Sequence, residues 1–167
     1  LIAEMAGTQA DSRSIIQTFC DSVLGFSISL GAIQKVLDRV SRAIEPSYKV
    51  IATQVRQAAV NHVDETSWHK NGALMWLWVM ANTRSALFMI HSHRSWEAFR
   101  ELIRDWKGIL VSDGYNVYCK WIGLRQTCLS HLIRDAKGLS QSLNVDIMLF
   151  GRRAWEELRC LCHMANA

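Results

Sequence analysis

Residues 59–91, AVNHVDETSWHKNGALMWLWVMANTRSALFMIH, carry the clearest strand and turn signals of the chain. Short apolar runs rich in β-branched and aromatic residues predict strands, and here they predict strands at 59–64, 74–80 and 86–91. The intervening Asn71-Gly72 and Asn82-Thr83-Arg84 are turn signals. Three short strands joined by tight turns predict an antiparallel meander.

Helical and strand-like patterns alternate after the meander. Ser95 is a predicted N-cap for a helix with the apolar stripe Trp96, Phe99, Leu102 and Ile103. Strands are predicted at 108–111 and 124–129, and apolar stripes at 132–143 and 147–162 predict further helices. A strand, a helix and another strand indicate a crossover and a parallel pair. The order of elements predicts an α/β protein with the mixed sheet of the ribonuclease H-like fold.

The residues before the meander, 1–57, are predicted to form an N-terminal helical segment. Apolar stripes at helical spacing break at Gly25, and Ser29 is the expected N-cap of the second helix. Pro46 is expected to end that helix, with a third helix at 47–57. Two helices joined by a Gly-containing turn fit a helix-turn-helix and fit equally a helical pair that only packs.

The bulk composition is that of a globular domain. Half of the residues are hydrophobic and 20% are charged, which argues against disorder. The formal net charge of +4 permits a polyanionic partner without requiring one. The five cysteines are odd in number and show no disulfide framework, which indicates a reducing cytoplasm. The longest apolar stretch, 74–81, is far shorter than the roughly 20 residues that span a bilayer, so no membrane partner is expected.

Asp64 and Asp113 are the candidate metal ligands. Each follows an apolar run that predicts a buried strand, so each carboxylate is expected at the rim of the sheet. If the two strands are neighbours, the carboxylates converge, and a divalent cation relieves their repulsion. Two Mg²⁺ ions about 4 Å apart could then activate a water or a 3′-hydroxyl at a phosphodiester. The alternative is that each Asp caps a turn, as Asp often does after a strand.

Four motifs follow one another along the chain. They are HVDETSW at 62–68, WLWV at 76–79, VSDGY at 111–115 and CLSHLIRD at 128–135. Together they resemble the central domain of the insertion-sequence-66 family of DDE-type transposases. The helical segment through Ser29-Leu30-Gly31 is similar to the stretch before that domain, so the resemblance covers nearly the whole chain. One departure is Leu129-Ser130, where the family often has Trp-Ala.

The resemblance implies a function and a site. Asp64 and Asp113 become the first two carboxylates of a DDE triad, which binds Mg²⁺ or Mn²⁺ for nicking and strand transfer of transposon-end DNA. The third, a Glu in an Asn-Asn-x-x-Glu-Arg-like segment, has no counterpart here. We therefore expect a C-terminally truncated piece of a longer transposase that is itself inactive or nearly so. The alternative is a catalytically inactive remnant that acts at most as a DNA-binding or assembly module. Transposases generally work as multimers, which makes a homo-oligomer a further expectation.

We expect the chain to divide into a helical segment (1–57), a partial catalytic core (58–143) and the start of a helical insertion (144–167). Four residues are candidates for contact with DNA phosphates, with an ordinary solvated face as the alternative: His131, Arg134, Arg125 and Lys137. Cys128 and His131 have a metal-ligand spacing, but a structural zinc site usually needs four ligands, so a buried thiol is preferred. Glu65 is expected to point away from Asp64 because side chains alternate along a strand.

Overall fold

The computed structural model describes residues 1–70 and 72–165 of the 167-residue chain. Asn71 of the predicted Asn71-Gly72 turn and the last two residues of the segment predicted at 144–167 lie outside the described residues. The chain folds as two compact units, Leu1–Val50 and Ile51–Ala167. Each unit has its own cluster of buried apolar side chains.

The first unit is helical, as the apolar stripes predict. Helix α1 spans Ile2–Gly7, α2 spans Arg13–Ser22, and α3 spans Leu30–Gln57, so α3 begins in the first unit and ends in the second. Ser29 caps α3 as predicted, because its Oγ accepts a hydrogen bond from Ala32 N at 3.1 Å. The buried apolar side chains of this unit are Met5, Ile16, Cys20 and Ile33.

Pro46 does not end a helix, so this part of the sequence-based prediction is wrong. It lies inside α3, and the helix predicted to start after it is the continuation of α3. A proline in a helix interior removes one hydrogen bond and costs about 3 kcal/mol. Ending one helix and starting another is also unfavourable, because each new helix must be nucleated. With helix-forming sequence on both sides of Pro46, the single long helix is retained.

The second unit contains a five-stranded mixed sheet. Its strands are β1 (Val60–Lys70), β2 (Ala73–Ala81), β3 (Ala86–His91), β4 (Ile109–Ser112) and β5 (Arg125–Thr127). They lie in the order β3-β2-β1-β4-β5. β1, β2 and β3 pair antiparallel, whereas β4 pairs parallel with both β1 and β5. The predicted α/β class with its meander and parallel strands is confirmed, and the arrangement is compatible with a ribonuclease H-like fold.

The helices described in the second unit, besides the end of α3, are α4 (Trp96–Ile103), α5 (Asn116–Cys119), α6 (Leu129–Leu139) and α7 (Val145–Ala165). Ser95 caps α4 as predicted, since its Oγ accepts a hydrogen bond from Ala98 N at 3.3 Å. The one-turn helix α5 stands where the sequence predicted only a connection. Within residues 1–70 and 72–165, no helix is both long enough and apolar enough to cross a bilayer.

β1 is longer than predicted, and Asp64 does not end it. The ladder with β2 continues past the Asp64–Val79 pair to Lys70, which pairs with Ala73. The polar residues 65–70 carry no strand signal of their own, but the apolar β2 supplies a complete partner for their backbone. The parallel ladder with β4 ends earlier, at the pair of His62 and Val111. Asp64 therefore lies beyond the part of β1 that β4 pairs.

One face of the sheet is packed and holds the main core. Along β1, Val63 is buried while Asp64 is exposed, which follows the alternation of side chains in a strand. On the packed face, the ring of Trp78 meets the edge of Tyr118 at 6.3 Å between centroids. Phe99 of α4 contacts Tyr118 in the same edge-on manner at 5.3 Å. This aromatic core covers the face of the sheet opposite to the one that carries the Asp64 side chain.

Candidate metal centre

The register of two parallel strands brings Asp64 and Asp113 together. In the ladder between β1 and β4, His62 pairs with Val111. Because side chains alternate along a strand, advancing both strands by two residues places Asp64 opposite Asp113 on the same face. Strand pairing between β1 and β4 has ended at this level. The two carboxylates therefore meet just beyond the last paired residues of β1 and β4.

His131 reaches the same place from α6. β5 runs parallel to β4 with Ser112 paired to Thr127, and Cys128 N donates a hydrogen bond to Ser112 O at 2.7 Å. Cys128 is the N-cap residue of α6, so the helix begins at the sheet edge that carries the aspartates. His131 lies in the first turn of this helix, and its backbone N–H donates to Cys128 O at 3.1 Å.

One ligand atom from each of Asp64, Asp113 and His131 lies within 4.8 Å of the other two. Asp64 is exposed, whereas Asp113 and His131 are half-buried. Backbone N–H groups orient the carboxylates, since Asp64 Oδ1 accepts from Glu65 N and Asp113 Oδ1 accepts from Tyr115 N, both at 2.9 Å. Each carboxylate keeps further lone pairs that can bind a cation.

This donor set fits a divalent cation. Carboxylate oxygens and an imidazole nitrogen are both common ligands of such ions. His131 Nδ1 is buried, and the side chain that interacts with the His131 ring is the Cys128 thiol, which is a weak hydrogen-bonding partner. A buried ring nitrogen with only a weak partner gains from coordination or from a stronger hydrogen bond to a bound species. Among the residues that the structure describes, this candidate ligand group contains two carboxylates, Asp64 and Asp113, and one imidazole, His131.

The two aspartate carboxylates give this cluster a negative character. Interaction with the Cys128 side chain raises the pKa of His131 above its ordinary value, and Asp64 acts in the same direction. Burial alone would raise the pKa of Cys128, but the nearby His131 and the first backbone N–H groups of α6 lower it overall. The cluster therefore favours a positive charge, either a proton on His131 or a bound cation. Because the two compete, cation binding is expected to weaken as the pH falls.

Glu65 points to the packed face, away from Asp64, as strand alternation predicts. Its side chain is 1% exposed and forms an ion pair with Arg94, whose Nη2 lies 2.6 Å from Glu65 Oε1. The Tyr118 hydroxyl donates a hydrogen bond to the other carboxylate oxygen. Burial raises the pKa of Glu65, and the hydrogen bonds from Tyr118 and Arg94 oppose that rise. Both oxygens of this buried carboxylate thus have partners, which a buried charge requires.

Arg94 links Glu65 to the segment that carries Asp113. Its guanidinium lies over the Tyr115 ring at 3.8 Å from the ring centroid and over the Trp76 ring at 5.1 Å. The Tyr115 hydroxyl donates to Arg94 O at 3.0 Å, and the Tyr115 backbone N–H donates to the Asp113 carboxylate. The network joins the residue next to Asp64 with the turn after Asp113. It therefore holds together the two backbone segments that present the aspartates.

The residues predicted to contact DNA lie at different distances from this cluster. Arg125 Nη1 donates to the backbone oxygen of Asp113 at 3.2 Å, so its charge sits beside the Asp113 turn. His131 is part of the cluster itself. Arg134 and Lys137 are exposed and lie one and two turns further along α6. The structure thus brings Arg125 and His131 to the aspartates and leaves Arg134 and Lys137 on the adjoining helix surface.

The sequence offered His131 as a contact to a DNA phosphate near the metals, with an ordinary polar face as the alternative, and it did not place His131 with Asp64 and Asp113 as a ligand. A signal for that position was present, because α6 directly follows β5 and the carboxyl ends of parallel strands meet at one edge of a sheet. Sequence reasoning also missed Arg94 and Tyr118, the partners of Glu65. No local pattern marks them, since each reaches Glu65 across a long stretch of chain.

Comparison of the sequence with known protein families identifies the family to which the chain belongs. The family model described as "Transposase IS66 family" matches residues 16–166, which include Asp64, Asp113 and His131. A comparison with curated protein sequences finds no significant match. The family match covers most of the chain and agrees with the resemblance carried by the four sequence motifs. The chain therefore belongs to the IS66 family of transposases.

Proposed function

We propose that this chain carries the cation-binding part of a DNA transposase active site. In this proposal, Asp64 and Asp113 hold a divalent cation, Mg²⁺ or Mn²⁺, for phosphodiester cleavage and strand transfer at transposon ends. The observation that supports it is the convergence of ligand atoms from Asp64, Asp113 and His131 within 4.8 Å. Membership of a DDE-type transposase family supplies the class of reaction and the expectation of a divalent metal.

A divalent cation bound between such carboxylates supplies Lewis-acid activation of a phosphodiester and of an attacking water or hydroxyl. The contribution of the chain is to hold two like charges close together at a fixed place. Asp64 and Asp113 repel each other when no cation is bound, so cation binding is favourable. Because backbone N–H groups of Glu65 and Tyr115 orient the carboxylates, little rearrangement is needed on binding.

DNA is the proposed partner of the same surface. Arg125 lies beside the Asp113 turn, and the exposed Arg134 and Lys137 continue along α6. Basic side chains at such positions bind phosphates independently of base sequence, which holds a strand in register with the metal site. The formal net charge of +4 favours association with a polyanion.

In this proposal, different segments of the chain have different roles. Residues 58–143 form the partial catalytic core, and residues 144–167 form the start of a helical insertion whose α7 packs on α6. Residues 1–57 are either a helix-turn-helix or a helical pair that only packs. The connection between α2 and α3 spans residues 23–29, which is longer than the three or four residues of a DNA-binding helix-turn-helix turn and supports the second alternative.

A second candidate function is a catalytically inactive module that binds DNA or assists assembly. The supporting observation is that, within residues 1–70 and 72–165, the cluster contains two carboxylates rather than three. Two carboxylates hold Mg²⁺, which prefers oxygen ligands, less firmly than three acidic ligands would. Under this alternative, the chain binds DNA through its basic surface without cutting it.

The experiment that separates these functions uses the purified chain and a fluorescent duplex oligonucleotide of arbitrary sequence. DNA binding is followed by anisotropy, and nicking is followed on denaturing gels, in Mn²⁺, in Mg²⁺ and in EDTA. We expect binding that weakens as salt rises and slow nicking that requires a divalent cation. Asp113→Asn should abolish the nicking, whereas Asp105→Asn, which removes one exposed carboxylate outside the cluster, should retain it.

The possible outcomes assign the function directly. Cation-dependent nicking that is lost in Asp113→Asn supports the enzyme. Binding of DNA without nicking under every cation supports the inactive module. Absence of DNA binding, or nicking that persists undiminished in EDTA or in Asp113→Asn, contradicts the proposed transposase site.

A further inference from the structure

We propose that His131 is the third protein ligand of the cation held by Asp64 and Asp113, which makes the site selective for a transition-metal cation such as Mn²⁺ or Co²⁺ over Mg²⁺. The inference rests on the proposed function, because it concerns the same cation. It goes beyond that function by naming a nitrogen ligand and the chemical class of ion that such a ligand prefers.

The position of His131 supports this role. A ligand atom of His131 lies within 4.8 Å of ligand atoms of both Asp64 and Asp113, a separation that a single cation can bridge. Three fixed elements present these side chains: β1, the end of β4 and the first turn of α6. The hydrogen bond from Cys128 N to Ser112 O ties the start of α6 to the end of β4. The three ligands are therefore held in place before a cation binds.

The surroundings of the His131 ring are a second observation. His131 Nδ1 is buried, and the side chain that interacts with the ring is the Cys128 thiol, which is a weak hydrogen-bonding partner. A buried ring nitrogen normally has a strong partner, because leaving it poorly paired costs free energy. A metal-bound histidine uses one ring nitrogen for the cation and the other for a hydrogen bond or a water. A cation or a water held by that cation would satisfy the ring in the loaded protein.

The chemistry of the donor set determines the ion. Mg²⁺ prefers oxygen ligands in near-octahedral geometry and binds imidazole poorly. Mn²⁺, Fe²⁺ and Co²⁺ accept both carboxylate and imidazole ligands, and affinity rises along that series. Replacing the nitrogen ligand by an amide should therefore reduce the affinity for Co²⁺ strongly and the affinity for Mg²⁺ much less. Selectivity for transition metals thus becomes a measurable property of His131.

The test measures Co²⁺ and Mg²⁺ affinity of the full chain by calorimetry and records the visible absorption spectrum of bound Co²⁺. We expect His131→Asn to weaken Co²⁺ binding at least about tenfold, since even indirect partners of a metal ligand are worth that much. Its Co²⁺ spectrum should change, and its Mg²⁺ affinity should change little. His69→Asn is the matched control, because His69 lies on β1 outside the cluster and should leave Co²⁺ affinity and spectrum unchanged.

A measurement on the unmodified chain keeps the test valid if His131→Asn fails to fold. Mn²⁺ bound to the wild-type chain should show electron–nuclear coupling to a directly bound imidazole nitrogen in pulsed electron paramagnetic resonance. Absence of that coupling, or unchanged Co²⁺ affinity and spectrum in His131→Asn, overturns the role of His131. If Asp113→Asn still loses cation binding in those experiments, the proposed function stands without the inference. If Asp113→Asn binds as the wild type does, the proposed function fails as well.

Discussion

The Glu65 carboxylate and the Arg94 guanidinium form an ion pair at 2.6 Å although the Glu65 side chain is 1% exposed. Glu65 follows Asp64 directly, and Arg94 is linked through Tyr115 to the Asp113 turn. One buried pair thus connects the backbone segments that carry both aspartates. Buried ion pairs are costly to break from one side, because the remaining charge loses its partner.

Glu65→Gln should lower the free energy of unfolding by roughly 1–3 kcal/mol. The amide keeps the volume of the side chain and can still accept from Tyr118, but it removes the charge that Arg94 faces. Urea denaturation followed by circular dichroism measures the difference. The control is Glu45→Gln, which removes an exposed partner of Lys49 and should cause no measurable change. Equal stability of the two variants would show that the buried pair does not support the fold.

Gly108→Ala should destabilise the chain by roughly 1–3 kcal/mol. An added Cβ would lie 2.5 Å from Ala59 O and 2.6 Å from the Trp106 ring. Ala59 O accepts the hydrogen bond from Ile109 N at 2.7 Å, at the start of the β1–β4 ladder. The clash should therefore shift β4 against β1 and also weaken cation binding by Asp64 and Asp113.

Gly138→Ala is the matched control for Gly108→Ala, with an effect of the opposite sign. Gly138 lies inside α6, and a Cβ added there meets nothing within 4 Å. Alanine is preferred over glycine in a helix, so thermal denaturation should show stabilisation of roughly 0.5–1 kcal/mol. Destabilisation by both substitutions would contradict the packing described around Gly108.

Asn61→Ala should lower the free energy of unfolding by roughly 1–3 kcal/mol. Asn61 is fully buried, its Nδ2 donates to Val55 O at 2.9 Å, and its Oδ1 accepts from Asn82 Nδ2 at 3.2 Å. Truncation leaves the Val55 carbonyl and the Asn82 amide without this partner. The comparison is with Asn116→Ala, an exposed position at which a change within about 0.5 kcal/mol is expected. Similar urea midpoints for the two variants would count against the buried linkage.

Arg134→Gln combined with Lys137→Gln should weaken DNA binding uniformly across sequences. If both side chains contact phosphates, the slope of log affinity against log salt concentration falls by roughly one for each residue removed. Fluorescence anisotropy at several salt concentrations gives the slope. Arg152→Gln removes an exposed charge that is paired with Glu156 on α7 and should leave the slope nearly unchanged. A reduction that is the same in the control would assign the effect to net charge rather than to the α6 surface.

Much of the fold was predictable because local signals and tertiary structure agree. Ser29 and Ser95 cap helices as their positions predict, and β3 has the predicted bounds. The prediction failed at two places for different reasons. The polar end of β1 is a strand because β2 pairs with it. Pro46 does not end a helix because helix-forming sequence continues on both sides of it.

The candidate site was predictable only in part. The apolar run before each residue made Asp64 and Asp113 candidate ligands, and the resemblance carried by the four motifs implied the same pair. The β1–β4 register explains why their side chains converge. His131 lies beside them because β5 pairs parallel with β4, so that α6 begins next to the end of β4. This placement follows from the order of the strands, which no local motif reveals. The Glu65–Arg94 pair depends on distant segments meeting, so only the folded chain shows it.

Asp64 and Asp113 are proposed to bind one divalent cation between their carboxylates. The most direct measurement is an anomalous-scattering difference map from crystals of the chain soaked in Mn²⁺. We expect a strong peak between the two carboxylates, with His131 beside it, and no such peak in Asp113→Asn crystals. Ordered Mn²⁺ elsewhere with none between these residues, or carboxylates that point apart, would rule out a cation site formed by Asp64 and Asp113.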